Sequence, residues 1–450
     1  MLLREHVNPA FARVLSILGY DVRFVRGRGA YLWDDSGQQY LDCLGGYAVF
    51  NVGRNHPVVR DAIIQAMQAD LPSLIKMGVP RLTGLLAREL LNIAPGDLER
   101  VFFTNSGAEG VETAMKYARA ATGRRRVLFC RKGFHGLTLG ALSVNGAQEF
   151  RQGFGELLSG CEAVHLNDLA ALEHELSQRD VAAFIVEPIQ GKGVNLPTDD
   201  YLPTACELCR KHGTIFVADE VQTGFGRTGR MFACEHWNVE PDILVTAKGL
   251  SGGYVPVGAV LSKKWIHDKV FSSLDRCVVH STTFGGNDLA MAAGLATLHV
   301  LRREKLVENA AAMGARFLER IQPVIGQYDM LKQARGKGLM LAVEFGPPRG
   351  FALKAGWSLL HKMDQSLFCQ AVLIPLLKDH HILAQVAGHH MDVIKFIPPL
   401  TVNADDIDHL VNALSHVIAA CHRFPGPAWE VGKRLGAQAI KSRKQTVGAG

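Results

Sequence analysis

No apolar run in this chain reaches the roughly 18 to 20 residues that a membrane-spanning helix needs. The first twenty residues place Arg4, Glu5, His6 and Arg13 where a secretory signal would require an unbroken apolar stretch, so the expected location is the cytoplasm, away from membranes. Paired-cysteine patterning is also missing. The nine cysteines are scattered and odd in number, and the one C-x-x-C, Cys206 to Cys209, sits inside the helical pattern YLPTACELCRKHG; free thiols are expected in place of disulfides or a zinc site. The net charge of +6 has no aromatic-interleaved basic stripe behind it. Much of the excess comes from the stretch 426–450, where Lys433, Arg434, Lys441, Arg443 and Lys444 face Glu430 alone. That stretch reads as a solvated basic tail, and no nucleic-acid partner is expected. Repeats, low-complexity segments and a Walker-type lysine are absent as well.

The chain does offer 48% hydrophobic and 20% charged residues over 450 positions, enough for two or three globular domains. From about residue 100, apolar runs alternate with helical patterns: ERVFFTN, GAEGVETAMKYARAAT, RRVLFC, VAAFIVEP, YLPTACELCRKHG, TIFVADE, DILVTAK and VPVGAVLS. Such alternation predicts an α/β fold with a mostly parallel sheet and crossover helices, whose ligand site lies at the carboxyl ends of the strands. GAYLWDDSGQQYLDCLGG carries a hairpin signature around Asp34 to Gly37. GKGLMLAVEF, HHILAQVA and VIKFIPPLTV read as later strands, followed by a helix from Asp405 to about His422. The expected domains are an N-terminal segment, 1–65, with its hairpin near the small domain; a large domain, 66–320; a smaller α+β domain, 321–425; and the tail, 426–450.

Gly224, Gly226 and Gly229 spell G-x-G-x-x-G after an apolar strand, the outline of a dinucleotide fingerprint. The context opposes it: no amphipathic helix follows, and the strand ends in Asp219 and Glu220, which would repel a pyrophosphate. Twenty-nine residues on, DILVTAKGLSGG closes with Lys248. A strand-end lysine alone suits solvation, but an acid and a lysine ending neighbouring strands form the pair that pyridoxal phosphate chemistry needs. Ser106, Gly107 and Ala108 open a long amphipathic helix and present N–H groups to an anion; taken alone, a plain N-cap accounts for them better.

The motifs FFTNSGAEGVETAMKYAR, GFHG, VEPIQG, VADEVQTGFGRTG, PDILVTAKGLSGG and HSTTFGGN, in that order from about Tyr31 to about Val402, resemble the class III aminotransferases of pyridoxal-phosphate fold type I. LDCLGGYAVFNVG, MFACEHWNVEPDIL and ARGKGLMLAVEF are most similar to the putrescine or terminal-diamine members. The resemblance implies a large cofactor domain with a mostly parallel sheet plus a small α+β domain built from both chain ends. It implies Lys248 as the Schiff-base lysine and Asp219 as the partner of the pyridine nitrogen. Gln222 would bond the ring hydroxyl, Phe134 and Val221 would cover the two ring faces, and Ser106, Gly107 and Ala108 would hold the phosphate. Thr283 would reach the phosphate of a neighbouring subunit, giving a homodimer with shared sites. Tyr47 and Glu187 would line the substrate side, with His135 behind them. The implied reaction is ping-pong transfer of an amino group from a terminal amine or diamine to a keto acid or aldehyde. The alternatives are an ornithine or acetylornithine type of 2-oxoglutarate aminotransferase, or another fold type I reaction such as an aminomutase.

Two positions depart from the family pattern. Lys395 stands where members that use 2-oxoglutarate carry an arginine, and Lys192 stands where they carry a glutamate, in a loop one residue shorter. As two cations they would weaken a carboxylate gate and repel the far end of a diamine unless Glu187 or another acid offsets them, with Lys395 expected to line the substrate side. The histidines of HHILAQVAGHHM, His380, His381, His389 and His390, read as alternating on a strand, and no metal is expected.

Overall fold

The computed structural model describes residues 2–75, 77–365, 367–423, 426 and 429. The cations expected in the basic tail, Lys433 to Lys444, lie outside them. Contacts divide the chain into two units, residues 1–45 with 312–450, and residues 46–311. In chain order the strands are β1 (Phe24–Arg28), β2 (Tyr31–Asp34), β3 (Gln39–Asp42), β4 (Arg100–Thr104), β5 (Arg126–Cys130), β6 (Cys161–Val164), β7 (Val181–Val186), β8 (Ile215–Asp219), β9 (Ile243–Thr246), β10 (Gly258–Ser262), β11 (Leu331–Lys337), β12 (Met340–Phe345), β13 (Ile382–Leu383), β14 (Gln385–Val386) and β15 (Val393–Phe396).

Within residues 46–311, β4 to β10 form one sheet in the order β4-β10-β9-β8-β7-β5-β6. The pairs from β6 through β5, β7 and β8 to β9 are parallel, while β10 runs antiparallel to both β9 and β4. The strand VPVGAVLS, expected within a mostly parallel sheet, is thus its one reversed member. Its reversal leaves β4 pointing the same way as β9, so the carboxyl ends of β4, β5, β7, β8 and β9 share one edge. Every residue of β7 and of β8 is buried, as strands covered on both faces require, and this explains their unbroken apolar composition. The helix Gly107–Thr122 starts at the Ser106 N-cap and stops at Gly123, which is left-handed at φ 69°. Its inner face, Val111, Ala114, Met115 and Tyr117, packs with Val127, Ile185, Val217 and Val245 in one core. Each such side chain contributes about 1.5 to 3 kcal/mol on full burial.

The other unit holds two four-stranded sheets, β1-β2-β3-β13 and β11-β12-β15-β14. The expected hairpin is β2 and β3, paired antiparallel, with Asp34 accepting from the backbone N–H groups of Ser36 and Gln38 in the turn. HHILAQVA, expected as one strand, is split: β13 pairs parallel to β3, and β14 pairs antiparallel to β15. Its histidines do not alternate on a strand. His381 and His390 take left-handed backbone angles of φ 54° and 53° in the flanking turns, and His380 Nε2 lies 3.1 Å from His416 Nδ1. Among the described residues no group of three or more His, Cys, Asp or Glu side chains is arranged to hold a metal ion, and no helix is long and apolar enough to cross a membrane. All nine cysteines are free thiols.

The β4–β10 pairing rests on a glycine. A Cβ at Gly258 would lie 2.4 Å from Thr104 Oγ1 and 2.9 Å from the Ser106 carbonyl oxygen, contacts with rigid neighbours that overpack the sheet edge. Gly258→Ala is expected to cost about 1 to 3 kcal/mol, measured as a lower midpoint in thermal or urea unfolding; an unchanged midpoint would contradict this packing.

Candidate active site

Loop after loop leaves the carboxyl edge of the large sheet with a polar group aimed into common space. After β5 comes the turn Gly133–Phe134–His135, after β7 Glu187, at the end of β8 Asp219, and after β9 Lys248. Asp219 is 3% exposed. A carboxylate in that position needs donors, and it has two: His135 Nδ1 donates to Oδ2 at 2.7 Å, and the Val221 backbone N–H donates to Oδ1 at 3.1 Å. Burial opposes a charge on His135, but the hydrogen bond to Asp219 and the charges of Asp219 and Glu187 outweigh it, and its pKa is raised. Its Nε2 has no hydrogen-bond partner among the described residues. A Cβ at Gly133 would stand 3.1 Å from that atom and 2.9 Å from the Cys130 carbonyl oxygen, so the turn needs glycine there.

Glu187 is the second buried acid, accepting from the Phe134 N–H through Oε2 and from the Gly191 N–H through Oε1, both at 2.9 Å. Burial is the main cause of its raised pKa; Asp219 adds to it, and His135 and the two N–H groups oppose it. Lys248 begins a 3-10 turn, Lys248–Ser251, with φ 41°. That backbone is sparsely populated for a non-glycine residue and is held by its surroundings. Burial lowers the Lys248 pKa, against the attraction of Asp219 and Glu187.

Facing this cluster, the helix Gly107–Thr122 presents its first turn, whose N–H groups have no acceptor within the helix. Ser106 Oγ accepts from the Glu109 N–H at 3.2 Å, so the N-cap role holds. A Cβ at Gly107 would meet both Val221 methyl groups at 2.8 Å; Val221 therefore lies directly against the helix start. Gln222 Nε2 donates to the Tyr47 carbonyl oxygen at 3.2 Å, and Tyr47 is 54% exposed. Asp219, Glu187, Lys248, Val221, Gln222, Phe134, Tyr47 and the Ser106–Ala108 turn thus all belong to the unit 46–311 and are linked by these contacts. Thr283 lies in the same unit on an exposed stretch. Lys395 belongs to the other unit, on β15 opposite Ala342 and Gln385, and is 4% exposed.

Glu112 contributes what motif reading missed. Its Oε1 accepts from the Thr138 hydroxyl at 2.7 Å and the Gly140 N–H at 2.9 Å, tying the loop that follows GFHG to the helix. An acid one turn into that helix was visible in the sequence, but helix polarity already accounted for it. One of the two expected cations has an acid beside it. Lys192 is bonded to Glu149 and lies 4.6 Å above the Phe150 ring, so its charge is matched locally.

A primary amine of lowered pKa, a buried carboxylate fixed by histidine and a helix N-terminus without room for a side chain at Gly107 form a donor set suited to an aromatic aldehyde phosphate. The comparisons with known proteins agree. Residues 18–418 match the aminotransferase class-III family model. The aminotransferase PigE of a Serratia species is 36% identical over 445 residues, covering 92% of this chain and 52% of its own length; this chain spans about half of that relative. Putrescine aminotransferase of Pectobacterium atrosepticum is 42% identical over 357 residues, 76% of this chain and 75% of its own. Ornithine aminotransferase from Toxoplasma gondii ME49 superposes with a TM-score of 0.82 at 32% identity, covering 93% of this chain and 94% of its own. A pyridoxal-phosphate-bound amine transaminase from an uncultivated Pseudomonas species gives 0.77 at 32% identity, over 89% and 95%. The chain belongs to the class III aminotransferase family.

The lowered pKa of Lys248 has a measurable sign. A lysine whose pKa falls is neutral, and nucleophilic, at lower pH than a solvated one. Carbamylation of the cofactor-free protein by cyanate, followed by peptide mass spectrometry, should reach half its maximal rate at Lys248 at a lower pH than at exposed lysines such as Lys211. An equal or higher pH would contradict the desolvation of the site.

Proposed function

We propose that this chain is a homodimeric cytoplasmic aminotransferase that takes the amino group of a terminal amine or diamine and passes it to a keto acid or aldehyde. The observation that carries the reading is Lys248, with its lowered pKa, within the electrostatic reach of Asp219 at a neighbouring strand end. When bound, pyridoxal phosphate supplies an aldehyde that receives the amino group and a ring that withdraws electrons from the reacting carbon. Lys248 Nζ would hold the aldehyde at rest; once displaced by the donor amine, it would take up the proton from the carbon bearing that amine. Asp219, oriented by His135 Nδ1–H, would hold the ring nitrogen in its protonated form. Ser106, Gly107 and Ala108 would hold the phosphate, Phe134 and Val221 would confine the ring, and Gln222 would bond its hydroxyl. Glu187 and Tyr47 would line the donor side.

The terminal-amine reading is supported by the similarity to putrescine aminotransferase and by Lys395 at the arginine position of the family pattern. Lysine offers a point charge where arginine grips a carboxylate through two parallel bonds, which weakens the case for a strict 2-oxoglutarate acceptor. The ornithine type remains the second reading, supported by the likeness to the Toxoplasma enzyme. A second copy of the chain is supported by apolar side chains left in water: Met77 and Val79 are 98% exposed and Leu274 is 91% exposed. The stretch that carries Met77 and Val79 is joined to the chain just after Thr283, since the Ser73 N–H donates to Asp288 Oδ2 and the Thr83 hydroxyl donates to the Gly286 carbonyl. That arrangement is consistent with Thr283 serving the partner's phosphate site.

Lys248→Ala should fold and bind pyridoxal phosphate without the yellow absorbance of the wild type, and should lose about 10²- to 10⁴-fold in transamination of terminal amines. Turnover at the wild-type rate would sink the assignment.

A further inference from the structure

Glu149 and Lys192 close a ring of contacts that runs through Phe150, Phe134, Glu187 and Gly191. Lys192 Nζ donates to Glu149 Oε1, and its side chain is 12% exposed. The same ammonium lies 4.6 Å from the centre of the Phe150 ring, a cation–π distance. Phe150 meets Phe134 edge to face, with centroids 5.5 Å apart and planes at 74°. Phe134 donates its N–H to Glu187, which also accepts from Gly191, the neighbour of Lys192. The segment that carries Glu149 and Phe150 hangs from the same turn as His135. The Gly146 N–H donates to the Gly133 carbonyl at 2.8 Å, and a Cβ at Gly146 would strike the Lys132 nitrogen at 2.4 Å. The segment therefore has a close-packed attachment to the turn.

We infer that the Glu149–Lys192 pair seated on Phe150 determines specificity: it withdraws the Lys192 charge from the substrate and leaves an aromatic, locally neutral wall that takes the apolar far end of an amine or carbonyl compound. This rests on the proposed aminotransferase reading and narrows its substrate class. The charge on Lys192 is engaged from both sides, by the Glu149 carboxylate and by the negative face of the Phe150 ring. A second substrate carboxylate would have to displace Glu149 to use it, whereas an alkyl chain would meet Phe150 without breaking a bond. The clamp depends on three residue types together: an acid at 149, an aromatic at 150 and a cation at 192.

Pentanoate and glutarate, unreactive five-carbon acids that differ by one carboxylate, separate the two cases when titrated calorimetrically into the holoenzyme. The wild type should bind pentanoate at least as tightly as glutarate. Glu149→Gln frees Lys192 and should tighten glutarate roughly fivefold, as one released surface charge can, with pentanoate changed less than about twofold. Lys192→Gln, which frees no cation, should bring no glutarate gain, and Phe150→Leu should weaken pentanoate. A wild-type preference for glutarate would overturn the inference, as would glutarate affinity that stays the same in a folded Glu149→Gln protein or rises equally in Lys192→Gln. The aminotransferase reading is scored separately on the same samples: if no amine donor changes the visible absorbance of the bound cofactor, that reading fails, whatever the titrations give.

Discussion

A buried carboxylate at the end of a strand is costly unless donors surround it, and the bond from His135 Nδ1–H to Asp219 meets that requirement here. Much of the neighbouring architecture follows from keeping that bond in place. The turn bearing His135 is tight enough to demand glycine at 133, and the loop beyond it is fastened by Glu112 to the helix whose first turn faces the crevice. The Phe134 N–H, one residue from His135, fixes Glu187. The two acids in turn draw on Lys248, whose burial still lowers its pKa. Four strand ends and one helix start are thereby linked through hydrogen bonds and charge.

The neighbouring acid does different work. Glu220 is fully buried, with a pKa raised by burial and opposed by its donors. It accepts from the Thr223 hydroxyl and, at 2.7 Å, from the Cys234 N–H, so it fastens the start of the 3-10 stretch Ala233–Trp237 back to the strand. The glycines of the G-x-G-x-x-G pattern serve the same fastening. A Cβ at Gly224 would lie 2.8 Å from the Glu220 carbonyl oxygen, and one at Gly229 would lie 2.8 Å from Ala311 Cβ. They let the chain turn closely, with no helix behind them to receive a pyrophosphate.

The parts legible in the sequence were those carried by local pattern. Strands such as Val181–Val186 announced themselves because burial on both faces leaves no polar positions, and Lys248 stood out as a lysine where an apolar run ends. The short strand β6, CEAV, was not legible: four residues with an exposed glutamate carry no usable period. The split of HHILAQVA was hidden for a similar reason, since two two-residue strands joined at Ala384 look like one of five. Motif spacing found Asp219 and Lys248, yet it could not find the Glu149–Lys192 pair, which joins residues 43 positions apart. Reading each charge by itself, the sequence suggested a cation facing the substrate; only the fold supplies its partner.

The central claim is that this crevice removes an amino group from a terminal amine without needing an acceptor present. It is tested most directly by mixing holoenzyme with a slight excess of a terminal monoamine such as pentylamine, with no carbonyl compound, and recording the visible spectrum. The account predicts that the yellow band fades within one turnover as one equivalent of the cofactor takes up the amino group, and that it returns on addition of an aldehyde or keto acid. A band unchanged by every terminal amine, while still bleached by an α-amino acid, would contradict it.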